Sequence, residues 1–539
     1  MFTPSITAAK PNAGQILQQI ETEQIETLPD EKIPAVIPTE KVIDKKSGPT
    51  VTVSKFLLQG NTLISNDTLE VSLEAYLNRP LGFVELKQAA VDIAQIYRDQ
   101  GWIVRTFIPQ QDFVDGQVSI QVIEAIFGEV RTEGVEPTLY SQTEVLKYIT
   151  AFQKKGEQID ANKLDRALLL TNDLPGIAVT GGLARGKGQN ETDFVLKISD
   201  DKRYFGDIAL DNTGSYSTGS ERLQANIDVN SPLRIADRLS TSVIFSEGMN
   251  YLRLGYSIPV GYNGLRLSFS SSLMDYEIVE GDFVDLELQG DSFTAGLGAT
   301  YPLIRSRYKN LYLAANLEHK DFLNKSGSNV TTDYTIDNLS LRLYGNLFDA
   351  FSGGGANSFS LSLQSGKVDL GTHDNRVGEQ AEVDGNFYKL NYSLSRQQVI
   401  TDTVSLYASI FGQQASDSID SAERFYIGGY SGVRAYPANE GGGADGHLAK
   451  IEMRWRLPKG FVVSGFYDYG HVSGRDSLPS NYSLDGVGIS VDWATKIGVN
   501  LNMVLSRRLG DNPNLTASGH DQDGTLDRNR IWLNAVMAF

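Results

Sequence analysis

Three side chains have the types and spacing for strong ionic recognition: Arg434, Glu452 and Asp468. Arg434 sits in a long glycine-rich loop, residues 413–446, and the two segments after it alternate apolar and polar residues without a break. Successive side chains of a strand point to opposite faces. In 447–457 (HLAKIEMRWRL), Ala449, Ile451, Met453, Trp455 and Leu457 share one face, opposite Lys450, Glu452, Arg454 and Arg456. In 461–470 (FVVSGFYDYG), Val462, Ser464, Phe466, Asp468 and Gly470 share a face. If the loop folds inward, the guanidinium finds a carboxylate for a bidentate pair, with Asp468, Glu452 or both. In a water-filled space such a pair is worth about 0–1 kcal/mol, so a fixed strut and a movable latch are both compatible with it.

Other chemistry is sparse. His319, His373, His447, His471 and His520 are scattered without metal-ligand spacing. The run Asp521-x-Asp523-Gly524-x-x-Asp527 resembles a calcium loop faintly but lacks the EF-hand pattern, so a solvated external loop is expected. Gly428-Gly429-x-x-Gly432 has no βαβ frame to make a phosphate cradle, and reads as a flexible loop. No enzyme, cofactor or metal is expected.

The 539 residues leave room for several domains. A net charge of −18 and a pI near 4.8 argue against nucleic acid or an anionic membrane surface as partner. There are no cysteines, hence no disulfide framework. No run reaches the roughly 18 apolar residues of a membrane-spanning helix, and mean hydropathy is −0.23. Alternating barrel strands escape such a scan. The opening MFTPSITAAK lacks the charged and apolar regions of a signal peptide, so a place in the outer membrane carries the expectation that a signal has been removed.

The elements that must position the ionic residues can be read in order. Within 1–28, residues 13–24 form an amphipathic helix with Ile16, Leu17 and Ile20 on one side. It is too short to persist alone and needs a docking site, or else the segment is a disordered tail. Residues 29–49, with Pro29, Pro34, Pro38 and Pro49, read as a linker. Residues 50–125 follow the order strand, helix, helix, strand, strand, with Leu86, Ala90, Ile93 and Tyr97 inward on the second helix (84–99) and strands at 102–107 and 118–123. Residues 126–200 repeat that order, which suggests two small α+β domains. From 201 to 539 the pattern is about sixteen alternating segments joined by connections that are short and long in turn. That is the pattern of a transmembrane β-barrel of about 16 antiparallel strands with both termini in the periplasm. The last strand, with Ile531, Leu533, Ala535, Met537 and Phe539, faces outward.

Val433-Arg434-Ala435-Tyr436 resembles the VRGY/VRAY signature in the sixth external loop of two-partner secretion transporters, the haemolysin secretion-activation class that includes contact-dependent inhibition exporters. Phe466-x-Asp468-x-Gly470 resembles their FxDxG signature on the thirteenth strand, and Leu174-Pro175-Gly176 is also similar. Ala435 stands where many relatives have glycine. The resemblance implies an N-terminal plug helix (Ile16, Leu17, Ile20), two POTRA domains and a sixteen-stranded barrel whose loop folds into the lumen. It implies ATP-independent export of one large unfolded exoprotein (an adhesin, haemolysin or contact-dependent inhibition toxin) by a monomer in outer-membrane lipid. The POTRA surface for that partner is expected at Trp102, Val104 and Phe107 with Ile93 and Tyr97 of the adjacent helix. Arg434 with Asp468 would hold the loop inside. The competing class is a barrel-assembly factor, which usually carries more POTRA units.

Overall fold

Alternation from Tyr204 onward builds sixteen antiparallel strands that close on themselves in the computed structural model. The structure describes residues 10–23, 50–113, 115–188, 190–371, 383–474, 481–516 and 518–539. The expected linker 29–49, Gln24 and His373 lie outside them. Two compact units are present, one holding the barrel and the N-terminal helix and the other the α+β domains.

In the barrel each strand pairs with its sequence neighbours, and the last, Asn529–Ala538, closes on the first, Tyr204–Asp211. Ile451, Met453, Trp455 and Leu457 are exposed while Glu452 is buried, so the outward face is the apolar one. Leu317, Leu339, Leu341, Ile410, Ile531, Leu533, Met537 and Phe539 follow the same rule. Among the described residues, no helix is long and apolar enough to cross a membrane. The sixth to eighth strands, Leu288–Arg305, Lys309–Ser326 and Asn329–Asp349, run to 18, 18 and 21 residues. A tilted span needs only about 9–11, so these strands continue beyond the bilayer.

The interior departs from the expected polar surface on one side. Ile244, Tyr251, Met274, Tyr276, Phe322, Tyr334, Ile336 and Val368 are all buried and form one apolar cluster. Strict alternation would have placed polar groups there. The cluster is covered by the helix Ala13–Glu23, whose Ala13, Ile16, Leu17 and Ile20 belong to it.

The second unit contains two α+β domains built alike. The first runs Lys55–Gln59, Asn66–Leu73, Phe83–Asp99, Val104–Phe107 and Gln117–Glu124, with the last strand central in its sheet. The second runs Ile126–Glu133, Gln142–Phe152, Ala161–Asn172, Ile177–Arg185 and Glu191–Asp200, again with the last strand central. The Asp160 side chain caps the helix Ala161–Asn172 by accepting from the amides of Asn162 and Lys163. A short pairing of Val51–Thr52 with Pro80–Leu81 escapes sequence patterning because two residues carry no period.

Three of the residues expected on a partner surface are placed otherwise. Ile93 and Tyr97 are fully buried, and the Tyr97 hydroxyl donates to Glu124 at 2.9 Å. The helical stripe that faces the sheet cannot also face a partner. Trp102 precedes the strand, which begins at Val104, and bridges to Asp160 of the second domain. Around it the two domains exchange backbone hydrogen bonds, Ile103 N to Ile159 O at 3.2 Å and Ala161 N to Gly101 O at 2.7 Å. That stretch of edge is therefore occupied.

Candidate functional site

The loop between the eleventh strand, Val404–Ala415, and the twelfth, Asp445–Leu457, is an ordered hairpin. Its stem pairs Phe425 with Gly443 and Tyr426 with Gly442. Its tip folds back on itself: Val433 N donates to Ile427 O at 2.7 Å, and Gly428 N to Glu440 O at 2.8 Å. Gly429 has φ +93, and a Cβ on Gly432 would lie 2.3 Å from the Ile427 carbonyl oxygen. The glycine run is a packing requirement, not the flexible loop that its composition suggested.

Arg434 occupies a socket with contacts on every side. Its Nε donates to Asp468 Oδ2 at 2.8 Å and its Nη2 to Asp468 Oδ1 at 2.7 Å, a two-pronged pair. Nη2 also lies 2.9 Å from Glu452 Oε1, so both carboxylates are partners. The guanidinium carbon stands 3.5 Å from the centre of the Phe466 ring. The backbone is fixed too. Arg434 N donates to Asp468 Oδ2 at 3.2 Å, and Arg434 O accepts from Ser506 Oγ at 2.6 Å and Trp532 Nε1 at 2.7 Å.

The thirteenth strand, Phe461–Ser473, thus uses every residue of its FxDxG run: Phe466 as a stacking face, Asp468 as anchor, Gly470 as empty space. A Cβ on Gly470 would meet Ile427 at 2.9 Å and Val433 at 3.1 Å. On the next strand, a Cβ on Gly486 would meet that of Ala435 at 2.6 Å. Ala435 itself has no positive φ, so the methyl group is seated without backbone strain. Val433, Ala435 and Tyr436 are buried in one cluster with Ile427, Leu448 and Leu484.

Water does not screen this pair. The Asp468 side chain is fully buried and that of Arg434 is 9 % exposed. The 0–1 kcal/mol of an exposed bridge is therefore replaced by the regime of buried pairs, where losing one partner costs about 3–5 kcal/mol. Burial works against the arginine charge, but the hydrogen bonds and charges of Asp468 and Glu452 outweigh it and raise its pKa.

The helix Ala13–Glu23 is the second occupant of the barrel. Beyond its apolar face, Ala13 N donates to Asn324 Oδ1 at 2.9 Å. Ser421 Oγ, at the base of the long loop, donates to Asn12 Oδ1 at 2.9 Å. Gly14 lies so close to Ala422 that a Cβ there would approach the Ala422 methyl to 2.9 Å. Next to this contact, buried Glu423 accepts from Lys320 at 3.2 Å, Asn338 at 2.8 Å and Gln364 at 2.8 Å, and pairs with Lys389. Burial opposes its charge, yet Lys320 and Lys389 hold its carboxyl well below the usual range. Glu21 of the helix reaches the same Lys320 at 3.5 Å. Helix and loop base therefore share one ionic hub.

Ser506, Trp532, Lys320, Lys389 and Glu423 were not singled out by sequence. Inward parity along their strands was the available signal for the first four, and Glu423 carried none. The run at 521–527 is another correction, since Asp521 and Asp523 are buried against arginines and not solvated.

Known proteins resemble this chain over most of its length. The family model described as haemolysin secretion/activation protein ShlB/FhaC/HecB matches residues 190–493, more than half of it. A model of the ShlB-type POTRA domain matches residues 51–125. The heme/hemopexin transporter protein HuxB of Haemophilus influenzae is 25% identical over 508 residues, 91% of this chain and 87% of that one. The solved structure of CdiB from Escherichia coli superposes with a TM-score of 0.73 at 20% identity, covering 99% of this chain and 100% of that one. BamA from Haemophilus ducreyi, lacking POTRA domains 1–3, gives 0.56 at 13% identity, over 91% of this chain and 100% of that one. Barrel, POTRA domain and family match agree: the chain belongs to the haemolysin secretion/activation family ShlB/FhaC/HecB, transporters of two-partner secretion that sit in the outer membrane with POTRA domains in the periplasm.

Proposed function

We propose that this transporter exports one large exoprotein and that two inserts close its lumen at rest. The loop 413–446 is the latch, held by Arg434 on Asp468 and Glu452. The helix Ala13–Glu23 is the plug. The Arg434 socket carries this reading, because a buried arginine with both carboxylates, two backbone acceptor contacts and a ring face is built to define one loop position.

The partner is proposed to be a secreted protein of the kind named for the relatives, such as the heme/hemopexin system of HuxB. It would enter along the first POTRA domain. There Val104–Phe107 is a sheet edge, Phe107 and Val91 are exposed, and Thr106 Oγ1 donates to Ala90 O at 2.6 Å, which sets strand and helix side by side. An extended segment can add to such an edge.

The test compares culture supernatants with and without the gene, and with Arg434→Ala. Loss of a single large exoprotein in both, at unchanged barrel levels, is expected. Normal secretion by an Arg434→Ala protein present at wild-type amounts would sink the latch.

A further inference from the structure

The loop after the fifteenth strand, residues 509–528, folds around two arginines. Arg508 Nη1 donates to Asp521 Oδ1 at 3.0 Å, and its Nη2 contacts Asp521 Oδ2 and the Asp527 carbonyl. Arg530 Nη2 donates to Asp523 Oδ2 at 2.7 Å and Thr525 Oγ1 at 2.9 Å. Asn512 adds a bond to Asp521 Oδ1 at 2.9 Å, and Asp521 N donates to Thr525 O at 2.7 Å. Asp521 is fully buried and Arg508 is 4 % exposed. The carboxylates of Asp521 and Asp523, in a run whose pattern hinted at a cation, are thus taken by guanidinium groups.

The free face of Arg508 meets the long loop. Its guanidinium carbon stands 4.8 Å from the centre of the Tyr436 ring, two residues beyond Arg434. Four residues further, buried Glu440 accepts from the Gln522 amide at 3.1 Å and from Asn514 Nδ2 at 3.4 Å. The loop tip is therefore gripped by the barrel wall at Arg434, by Arg508 at the end of the fifteenth strand at Tyr436, and by loop 509–528 at Glu440.

We propose that loop 509–528 is a catch for the long loop, with Arg508 and Asp521 as positioning residues. Asp521 fixes the plane of the Arg508 guanidinium, and Arg508 in turn seats Tyr436 and the neighbouring Arg434. For the tip to leave its seat, this external catch must open as well as the wall socket. The division of labour is geometric: neither Arg508 nor Asp521 bonds Arg434 directly, so the catch acts through the Tyr436 ring.

The absence of native cysteine makes the tip position measurable in the full-length protein in outer membranes. Ala438→Cys places a thiol at a buried tip residue, and Val330→Cys gives an exposed reference. A membrane-impermeant maleimide should label the tip thiol slowly relative to the reference. Asp521→Asn should raise that ratio by roughly tenfold or more, since a buried arginine loses its charged partner. Asp521→Glu should restore slow labelling. Arg508→Lys should behave like Asp521→Asn, because an ammonium neither forks nor stacks in the same way. Tyr436→Leu, which leaves Arg508 and Asp521 intact, should also speed labelling and serves if the other variants fold poorly. Heat-modifiable migration shows which barrels are closed. Unchanged labelling in closed Asp521→Asn and Tyr436→Leu barrels, or equal acceleration by Asp521→Asn and Asp521→Glu, overturns the catch. This readout follows the tip and not secretion, so it stands apart from the latch test.

Discussion

The helix Ala13–Glu23 and the tip of loop 413–446 are both buried in the barrel unit, but the forces that hold them differ in kind. The helix packs through Ile16, Leu17 and Ile20 into one apolar cluster with Tyr251, Phe322, Ile336 and Val368, and its polar ties, among them Gln18 to Arg424 O, Gln19 to Thr213 O and Glu21 to Arg253 and Lys320, lie at its margins. The tip depends on directed bonds to Arg434, each with an orientation to satisfy. Apolar contact is non-directional and weakens gradually as area is lost. A buried ion pair needs good geometry, and losing one partner strands the other. One occupant is suited to sliding out, the other to a switch between seated and released. Their meeting at Gly14, Ala422 and Glu423 means that removing the helix also uncovers the loop base.

The sharpest way to break this contrast is Asp468→Asn. It removes the two-pronged partner and leaves the buried guanidinium with Glu452 alone, at a cost of up to about 3–5 kcal/mol, and should abolish export while the barrel remains closed, read from supernatant protein against heat-modifiable migration. Deleting residues 1–28 should do the reverse: raise conductance in planar bilayers and leave the Arg434 pair intact. Each buried aliphatic side chain lost is worth about 1.5–3 kcal/mol, so Ile20→Asp alone should give a partial rise. An unchanged conductance after the deletion would mean that the helix does not obstruct the pore.

A smaller effect tests the seat of Ala435. Gly486→Ala should displace the tip at a cost of about 1–3 kcal/mol and reduce export, and Ala435→Gly in the same chain should restore it. Failure of the double variant to recover would place the defect elsewhere.

The smallest effect concerns pH. Burial, aided by the charge of Asp521, pushes the Glu440 carboxyl from 4.5 up to about 7, against bonds from Gln522, Asn512 and Asn514. Arg508 and Tyr482 are its other ionisable neighbours. The seated tip therefore binds a proton that a released tip gives up. Its advantage is complete below about pH 4.5 and is lost as pH rises to about 7. Labelling of the Ala438→Cys thiol, normalised to the exposed reference, should rise across that window, and Glu440→Gln should abolish the change.

Alternation made most of the barrel legible, since a strand's two faces differ whenever one meets lipid. It put Glu452 and Asp468 on the inward face before any contact was known. It failed where inward residues are apolar, as at Ile244, Phe322 and Val368, because parity says which way a side chain points but not what it meets. Loops carry no period at all. Asp521 therefore looked solvated, although Arg508, thirteen positions earlier, binds it in the interior. The same limit explains the POTRA surface: Ile93 and Tyr97 have the spacing of an apolar stripe, and the spacing alone does not tell core from groove.

By itself the sequence determined sixteen membrane strands, two repeated α+β domains and the signatures around Arg434 and Asp468, all of them local patterns of polarity and spacing. Only the tertiary structure decided what fills the barrel. The Arg434 socket draws Ser506 from 72 positions away and Trp532 from 98, and Asn324 is 311 positions from Ala13. Closure of the barrel brings such residues together, and no local period records which distant wall a loop or helix will meet.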